Sequence, residues 1–268
     1  MIVNWSELRR KMLIETQRID FCKPSYWDKE AENFSQNVLQ MGKLTQQQLD
    51  QLVLLPQFTV LDVGAGTGRL TIPIAKRVKS VTALEPSSKM LAILKANAKK
   101  QQVKNIKYVN KSLDDLEITE LKAHDVVLAS FSLLMVDIDK ALLKMDALAS
   151  VGVYLFVSAS DWMDKEIQEI ALGEDETSTV LPDQVYICNI LHDIGIDSNV
   201  DVWDFESKQC YKDVESATTR FMQLYRISPE KQNALGAYLN KILVQDEKGK
   251  FWLNRRKKAA KIWWTKTK

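Results

Sequence analysis

The chain has 268 residues, enough to bury a full hydrophobic core in one α/β domain with an insertion. With 46% hydrophobic and 27% charged residues it is composed like an ordinary globular protein, which excludes a disordered or collagen-like chain. Lys and Arg outnumber Asp and Glu by only 37 to 35, so there is no strong field to draw in a nucleic acid or an acidic membrane.

The first segment mixes Glu7, Arg9, Arg10, Glu15 and Arg18 among its apolar residues and lacks the apolar stretch of a signal peptide. No apolar run reaches the roughly 18 residues that span a bilayer. Cys22, Cys188 and Cys210 are odd in number and form no CxxC pair, which argues against a disulfide framework and a zinc site. They read as buried thiols. A cytoplasmic protein without a metal is the expectation.

Apolar residues at helical spacing predict helices over 5–18 and 27–49, separated at Lys23-Pro24-Ser25. Short β-branched runs at 58–63, 81–84, 106–109, 126–129 and 153–157 then alternate with helical patterns at 70–78, 88–98 and 138–148. That alternation predicts a parallel sheet with crossover helices on both faces. Pro73 falls in a first helical turn, where its missing N–H costs little. Further on, the sequence predicts a polar loop over 173–182, a helix over 183–194 and a strand over 199–205. Helices over 213–225 and 229–244 and a terminal aromatic strand over 262–265 complete the pattern. The basic run Arg255, Arg256, Lys257, Lys258 and Lys261 reads as a solvated turn.

The segment Val60-Leu61-Asp62-Val63-Gly64-Ala65-Gly66-Thr67-Gly68-Arg69-Leu70 joins a buried strand to an amphipathic helix. Its glycines permit positive φ and let a ligand touch backbone, while N–H groups at the helix start can donate to it. A tight turn alone would also explain them. Glu85, however, ends the second strand roughly 20 residues further on, where an acid reaches ribose hydroxyls in nucleotide-binding α/β sites. The dinucleotide fingerprint GxGxxG needs a third glycine where this chain has Arg69, which disfavours NAD and a dehydrogenase. A GxGxG turn preceded by Asp62 suits a cofactor with a cationic amino group, as at the methionine end of S-adenosylmethionine.

These residues, followed by Leu84-Glu85-Pro86-Ser87 and Met90-Leu91, resemble the class I S-adenosylmethionine-dependent methyltransferases over roughly 27–160. The resemblance implies an α/β fold with a Rossmann-like, seven-stranded, mostly parallel sheet, helices on both faces, N-terminal helices and a late helical insertion. The parts are expected at 1–50 (helices covering the cofactor cleft), 51–210 (the cofactor-binding core), 211–250 (the insertion, a candidate substrate cap) and 251–268 (the strand completing the sheet). It further implies that Asp62, Gly64, Ala65 and Gly66 line the methionine part, with Thr67 and Gly68 in the same turn. Glu85 would bind the ribose, and Pro86 and Met90 would flank the adenine. An Asp after the third strand commonly holds the adenine amino group in this family; here Ser112 stands in that place, with Asp114 or the backbone of Leu113 as substitutes. Ser130 and Phe131, at the carboxyl edge of the sheet, are expected to face the sulfonium. Where many members have a Pro-Gly-Gly turn, Ala149-Ser150-Val151-Gly152 is expected to form a turn remote from the pocket.

Methyl transfer from a sulfonium is an in-line displacement of an activated leaving group, so positioning supplies most of the acceleration and a protein base is optional. No residue is singled out as catalytic. His124, at the amino edge of the sheet, and His192, late in a helix, both read as structural. Tyr26 and Trp27, in the N-terminal segment, and Asp161 and Trp162, after the fifth strand, are the candidate substrate contacts. Ser130-Phe131-Ser132-Leu133 does not fit the grip that nucleic-acid amino-methyltransferases place on a flipped base. No cysteine lies between Lys23 and Ile187 for pyrimidine C5 chemistry. A small-molecule acceptor, with neither nucleic acid nor membrane as partner, follows by elimination; S-adenosylhomocysteine would be the product. A noncatalytic S-adenosylmethionine-binding or regulatory protein, and a methyltransferase acting on protein or RNA, are the alternatives left open.

Overall fold

Aliphatic, β-branched runs form the centre of the molecule in the computed structural model, which describes residues 3–161, 163–173 and 180–266. They are β1 (Thr59–Val63), β2 (Ser80–Leu84), β3 (Ile106–Val109), β4 (His124–Ser130) and β5 (Ala149–Ser158), paired in parallel in the order β3-β2-β1-β4-β5. Parallel neighbours cannot be joined by tight hairpins, and α4 (Thr71–Ala75), α5 (Ser88–Lys100) and α6 (Ile138–Leu148) supply the crossovers. Two later strands extend the sheet, β6 (Asn199–Tyr211) and β8 (Phe251–Thr265). β8 lies between β5 and β6, antiparallel to both, and the short β7 (Val244–Gln245) pairs with it. The sheet thus has eight strands where seven were expected, and among the described residues β8 alone runs against the rest.

Alternation along the buried strands divides the core into two layers. Leu61, Val127, Ala129 and Leu155 pack with α6, with α1 (Trp5–Glu15) and with α8 (Asp183–Asp193). Val60, Val126, Leu128 and Phe156 face the other way, towards Leu94 of α5, Ile72 and Ile74 of α4, and Leu49 of α3 (Gly42–Asp50). A separate cluster joins α7 (Lys165–Leu172), α9 (Val214–Tyr225) and α10 (Gln232–Ile242) to the far end of β8 through Ile167, Phe221, Leu235, Leu239 and Leu253.

Three expectations are corrected. The basic run at 255–261 is part of β8, not a turn: β6 and the loop after β5 supply carboxylates, pairing Arg256 with Asp204 (2.8 Å), Lys261 with Asp201 (2.8 Å) and Arg255 with Asp164. Residues 149–152 open β5 instead of turning, and a Cβ on Gly152 would stand 2.9 Å from the Trp264 carbonyl oxygen of the neighbouring strand. The helix predicted over 27–49 is α2 (Pro24–Val38), a 3₁₀ turn (Leu39–Met41) and α3, with Pro24 in the first turn of α2 where a missing N–H is harmless. α7 had no counterpart in the sequence reading, and the polar loop predicted over 173–182 falls mostly outside the described residues. No helix among the described residues is long and apolar enough to cross a membrane.

α2 is tied down across the carboxyl edge of the sheet. Asp28 accepts hydrogen bonds from Ser87 Oγ (2.6 Å) and the Lys89 N–H (3.2 Å) at the start of α5. Glu30 pairs with Arg220 of α9 (3.1 Å), and Asp20, in the 3₁₀ turn Arg18–Cys22, pairs with Arg226 (3.0 Å).

Candidate functional site

β1 runs directly into a turn whose glycines at 64, 66 and 68 have φ of +72°, +56° and +92°. The Gly64 and Ala65 N–H groups donate to the Leu84 carbonyl (2.8 and 3.2 Å), which fixes the turn against the end of β2. One residue further on, the Gly66 N–H donates to Glu85 Oε2 (2.8 Å), while the Ser87 N–H donates to Oε1 (2.9 Å). The glycine turn and the acid therefore meet, although 19 residues separate Gly66 from Glu85. Glu85 is only 5% exposed; burial pushes its carboxyl up, and the two N–H bonds act the other way. Each oxygen retains a lone pair with which to accept a further hydrogen bond.

A cavity of about 190 Å³ lies over this junction. Gly64, Gly66, Glu85, Pro86, Met90, Ser112, Leu113, Ser130 and Phe131 all line it, and Trp27 lines it from α2. Asp62, Ala65, Thr67 and Gly68 belong to the turn but stand behind its wall. Tyr26 and the exposed Asp161 are not on the wall, Tyr26 packing instead against Phe21 and Trp27. Trp162 lies outside the described residues. Ser112 donates its hydroxyl proton to Asp115 (2.6 Å), closing the loop after β3.

Asp62 is buried beneath the turn and accepts from Thr71 Oγ1 (2.6 Å). Burial pushes its carboxyl up to about 6, with the Thr71 bond and the Arg69 charge opposing. A carboxyl raised in the folded state binds its proton more tightly there than in the unfolded chain, so its ionisation destabilises the fold above about pH 6, and the penalty fades as pH falls from about 6 towards 3.8. The size is at most about 3 kcal/mol. Asp62→Asn retains an acceptor for Thr71 and is expected to raise stability at pH 8 by up to that amount, with little effect at pH 4. Urea unfolding at the two pH values measures it; a destabilised variant at pH 8 would contradict the account.

Residues that the sequence reading did not single out complete the wall. Arg69, read only as a missing glycine, points into the cavity and donates to Thr45 Oγ1 (3.0 Å), Gln48 Oε1 (2.6 Å) and Ser130 Oγ (2.8 Å). Burial lowers its pKa to about 10, so it stays cationic at neutral pH. Phe21 and Phe34 line the cavity beside Trp27, and Phe34 lies two helical turns from Trp27 on the same face of α2. That seven-residue spacing was legible in the sequence. Cys22 also lines the cavity, so the elimination of a cysteine near the site by its place in the sequence does not hold. Burial pushes its thiol up, partly opposed by Arg9 and Arg18.

The loop after β4 is held from several directions. The Phe131 N–H donates to the Phe156 carbonyl (2.8 Å), and Ser132 Oγ donates to the Val63 carbonyl (2.5 Å). The buried Arg9 guanidinium, reaching from α1, donates to the carbonyls of Met135 (2.7 Å) and Leu133 (2.5 Å). These bonds keep Phe131 at φ +53°, a left-handed conformation that costs a phenylalanine roughly 1 kcal/mol or more. His124 is buried at the start of β4 with Nε2 2.8 Å from Thr82 Oγ1, away from the cavity, as its structural reading expects. His192 is exposed.

The donor set fits an adenosine bearing an amino-acid tail. A Cβ on Gly66 would meet only Phe34, at 3.6 Å, so backbone is open to a ligand there, and an acid, Glu85, and a cation, Arg69, both line the opening. A model of the methyltransferase domain family matches residues 60–151. An uncharacterized protein of Haemophilus influenzae is 29% identical over 268 residues, covering 98% of this chain and 96% of its own. The 23S rRNA (uracil(1939)-C(5))-methyltransferase RlmD of the same organism is 42% identical over 66 residues, which are 25% of this chain and 15% of that enzyme. Among solved structures, the YcgJ protein of Bacillus subtilis has a TM-score of 0.58 at 11% identity, over 84% of this chain and 98% of its own, a likeness of fold. The matched region takes in the glycine turn, Glu85 and the loop carrying Phe131, and over residues 60–151 the chain carries a methyltransferase domain.

Proposed function

We propose that the enzyme methylates a small molecule bound beside S-adenosylmethionine in this cavity. Glu85 accepts both ribose hydroxyls, Pro86, Met90, Ser112 and Leu113 surround the adenine, and Ser130 and Phe131 stand by the sulfur. Backbone at Gly64 and Gly66 meets the methionine part. From behind the turn, ionised Asp62 attracts the ammonium, and Arg69 holds the carboxylate. When bound, the cofactor supplies a methyl group on a cationic sulfur, transferred as the acceptor's lone pair bonds to the methyl carbon and the carbon–sulfur pair returns to sulfur. The chain's own part is to orient the two reactants and exclude water.

The observation that carries the small-molecule reading is enclosure: α2 and the 3₁₀ turn before it cover the cavity with Phe21, Trp27 and Phe34. The segment 1–50 acts as the cover, 51–210 as the cofactor-binding core and 211–250 as a brace, through Arg220 to Glu30 and Arg226 to Asp20. An RNA acceptor draws support from the likeness to the rRNA enzyme, which covers 25% of the chain. Against it, Arg255, Arg256 and Lys261 of β8 are each paired with a carboxylate of this chain and are not held ready for phosphates. Uracil C5 chemistry needs a thiolate, and burial holds Cys22 as the thiol.

Incubation of the full chain with methyl-labelled S-adenosylmethionine and a cell extract separates the readings. Label is expected in the low-mass fraction, and label confined to RNA or protein would overturn the proposal. A second test uses Cys22. Saturation with S-adenosylhomocysteine is expected to slow its alkylation by iodoacetamide at least fivefold while Cys188 and Cys210, which do not line the cavity, react as before. Equal slowing of all three, or of none, would argue against ligand in this cavity.

A further inference from the structure

Arg69 lines the cavity and is held there by neutral oxygens only. Nη1 donates to Thr45 Oγ1 (3.0 Å) and Gln48 Oε1 (2.6 Å), and Nη2 donates to Ser130 Oγ (2.8 Å). Among the described residues it forms no ion pair; Asp62, the carboxylate whose charge reaches it, is bonded to Thr71 instead. A guanidinium has five N–H groups, so two remain, the number that a bidentate carboxylate takes.

Gln48 organises these bonds from α3, where it is fully buried and stands behind the cavity wall. An arginine cannot accept a hydrogen bond, so the amide oxygen is the atom that faces Arg69, and the amide nitrogen then donates to Ser130 Oγ (3.2 Å). Ser130 Oγ therefore accepts twice, and its own proton has no acceptor among the described residues. Two N–H groups of Arg69 and one O–H of Ser130 are thus donors awaiting an acceptor, on two neighbouring side chains that both line the cavity. A buried cation without a counter-charge is costly to the empty protein, and a glutamate at position 48 would offset that cost.

Resting on the cofactor reading above, we propose that Gln48 determines specificity for the cofactor's amino-acid tail: it bonds Arg69 without cancelling its charge, so the site takes adenosyl compounds that carry an α-carboxylate and rejects those that lack one. It acts as a positioning residue, through Arg69 and Ser130. A tail without the carboxylate leaves these donors unpaired in a shielded site and sets its ammonium near the guanidinium, which is how a polar site rejects an analogue.

Calorimetry at pH 8 on the full chain compares S-adenosylhomocysteine with S-adenosyl-3-thiopropylamine, which keeps the adenosine, the sulfur and the ammonium but has no carboxylate. The wild-type chain is expected to bind the first at least 100-fold more tightly. Gln48→Glu sets a carboxylate against Arg69; it should weaken S-adenosylhomocysteine at least tenfold and leave the amine within threefold, so that the preference falls at least threefold. A variant that merely loosened the fold would weaken both ligands alike. Should Gln48→Glu not fold, Thr45→Asp brings a carboxylate to the same nitrogen, with the same expected result. A preference that falls less than threefold in the folded variant, or a loss shared equally by the two ligands, would overturn the proposal. So would a wild-type chain that binds both equally, while adenosine binding at Glu85 stands. Failure of the wild-type chain to bind either compound would remove the cofactor reading, and this inference with it.

Discussion

Glu85→Ala is expected to weaken S-adenosylhomocysteine binding about 10- to 100-fold, roughly 1 to 3 kcal/mol, the range for losing a buried, charged hydrogen-bond partner. Two effects add in this variant. The ribose loses its acceptor, and the N–H groups of Gly66 and Ser87, which now donate to the two carboxylate oxygens at 2.8 and 2.9 Å, are left without one. The second effect should lower the thermal midpoint as well. Glu85→Gln separates them in part, because its amide oxygen still satisfies one N–H while its NH₂ faces the other and cannot accept from a hydroxyl; stability should return only in part and affinity should not. The wild-type affinity should also fall as the solution is acidified. Burial raises the Glu85 carboxyl above its ordinary value, so protonation sets in at a higher pH than for an exposed glutamate and removes an acceptor. Calorimetry at pH 8 and pH 5 measures this, and an affinity equal or higher at pH 5 would contradict the ribose role.

Gly66→Ala should nearly abolish cofactor binding while leaving the protein folded. With φ at +56° an alanine is strained by about 1 kcal/mol, but its Cβ would meet only Phe34 at 3.6 Å, so the fold can absorb it. The methyl group would instead occupy cavity space beside Glu85, and a loss of at least 100-fold is expected. Gly64→Ala is the instructive contrast. There the Cβ would collide with the Ser132 Cβ, and Ser132 cannot retreat because its hydroxyl is bonded to the Val63 carbonyl and Arg9 holds the next residue's carbonyl. That variant should lose stability first, by several kcal/mol, as over-packed sites do. Thermal unfolding alongside ligand titration distinguishes the two. A Gly66→Ala protein that binds normally would place the ligand elsewhere.

The strands and the turn were legible because local chemistry dictates them. Val60, Leu61, Val126 and Val127 are buried on both faces of a parallel sheet, and such strands announce themselves as unbroken aliphatic runs. The glycine turn and Glu85 could be placed together because a crossover of that length brings the ends of adjacent parallel strands side by side. What stayed hidden depended on partners distant in the chain. The middle of β8 reads as a charged turn until Asp204 and Asp201 of β6 are placed opposite its cations. Arg69 gains its meaning only from Gln48 and Ser130, which α3 and β4 bring to it. Asp62 was expected on the cavity wall, and its position at the end of β1 is as foreseen, but the pleat turns its side chain beneath the turn towards Thr71. The aromatic cover followed a helical spacing visible in the sequence; the face to which α2 would present it is set by Asp28 at the start of α5 and Glu30 at α9.

A crystal structure of the chain grown with S-adenosylhomocysteine bears most directly on whether the turn and the acid serve one adenosine-containing ligand. The account predicts both ribose hydroxyls within hydrogen-bond distance of Glu85, with the homocysteine tail passing over Gly66 towards Arg69. A ligand seated anywhere else on the protein, with Glu85 still bonded to Gly66 and Ser87 alone, would contradict it.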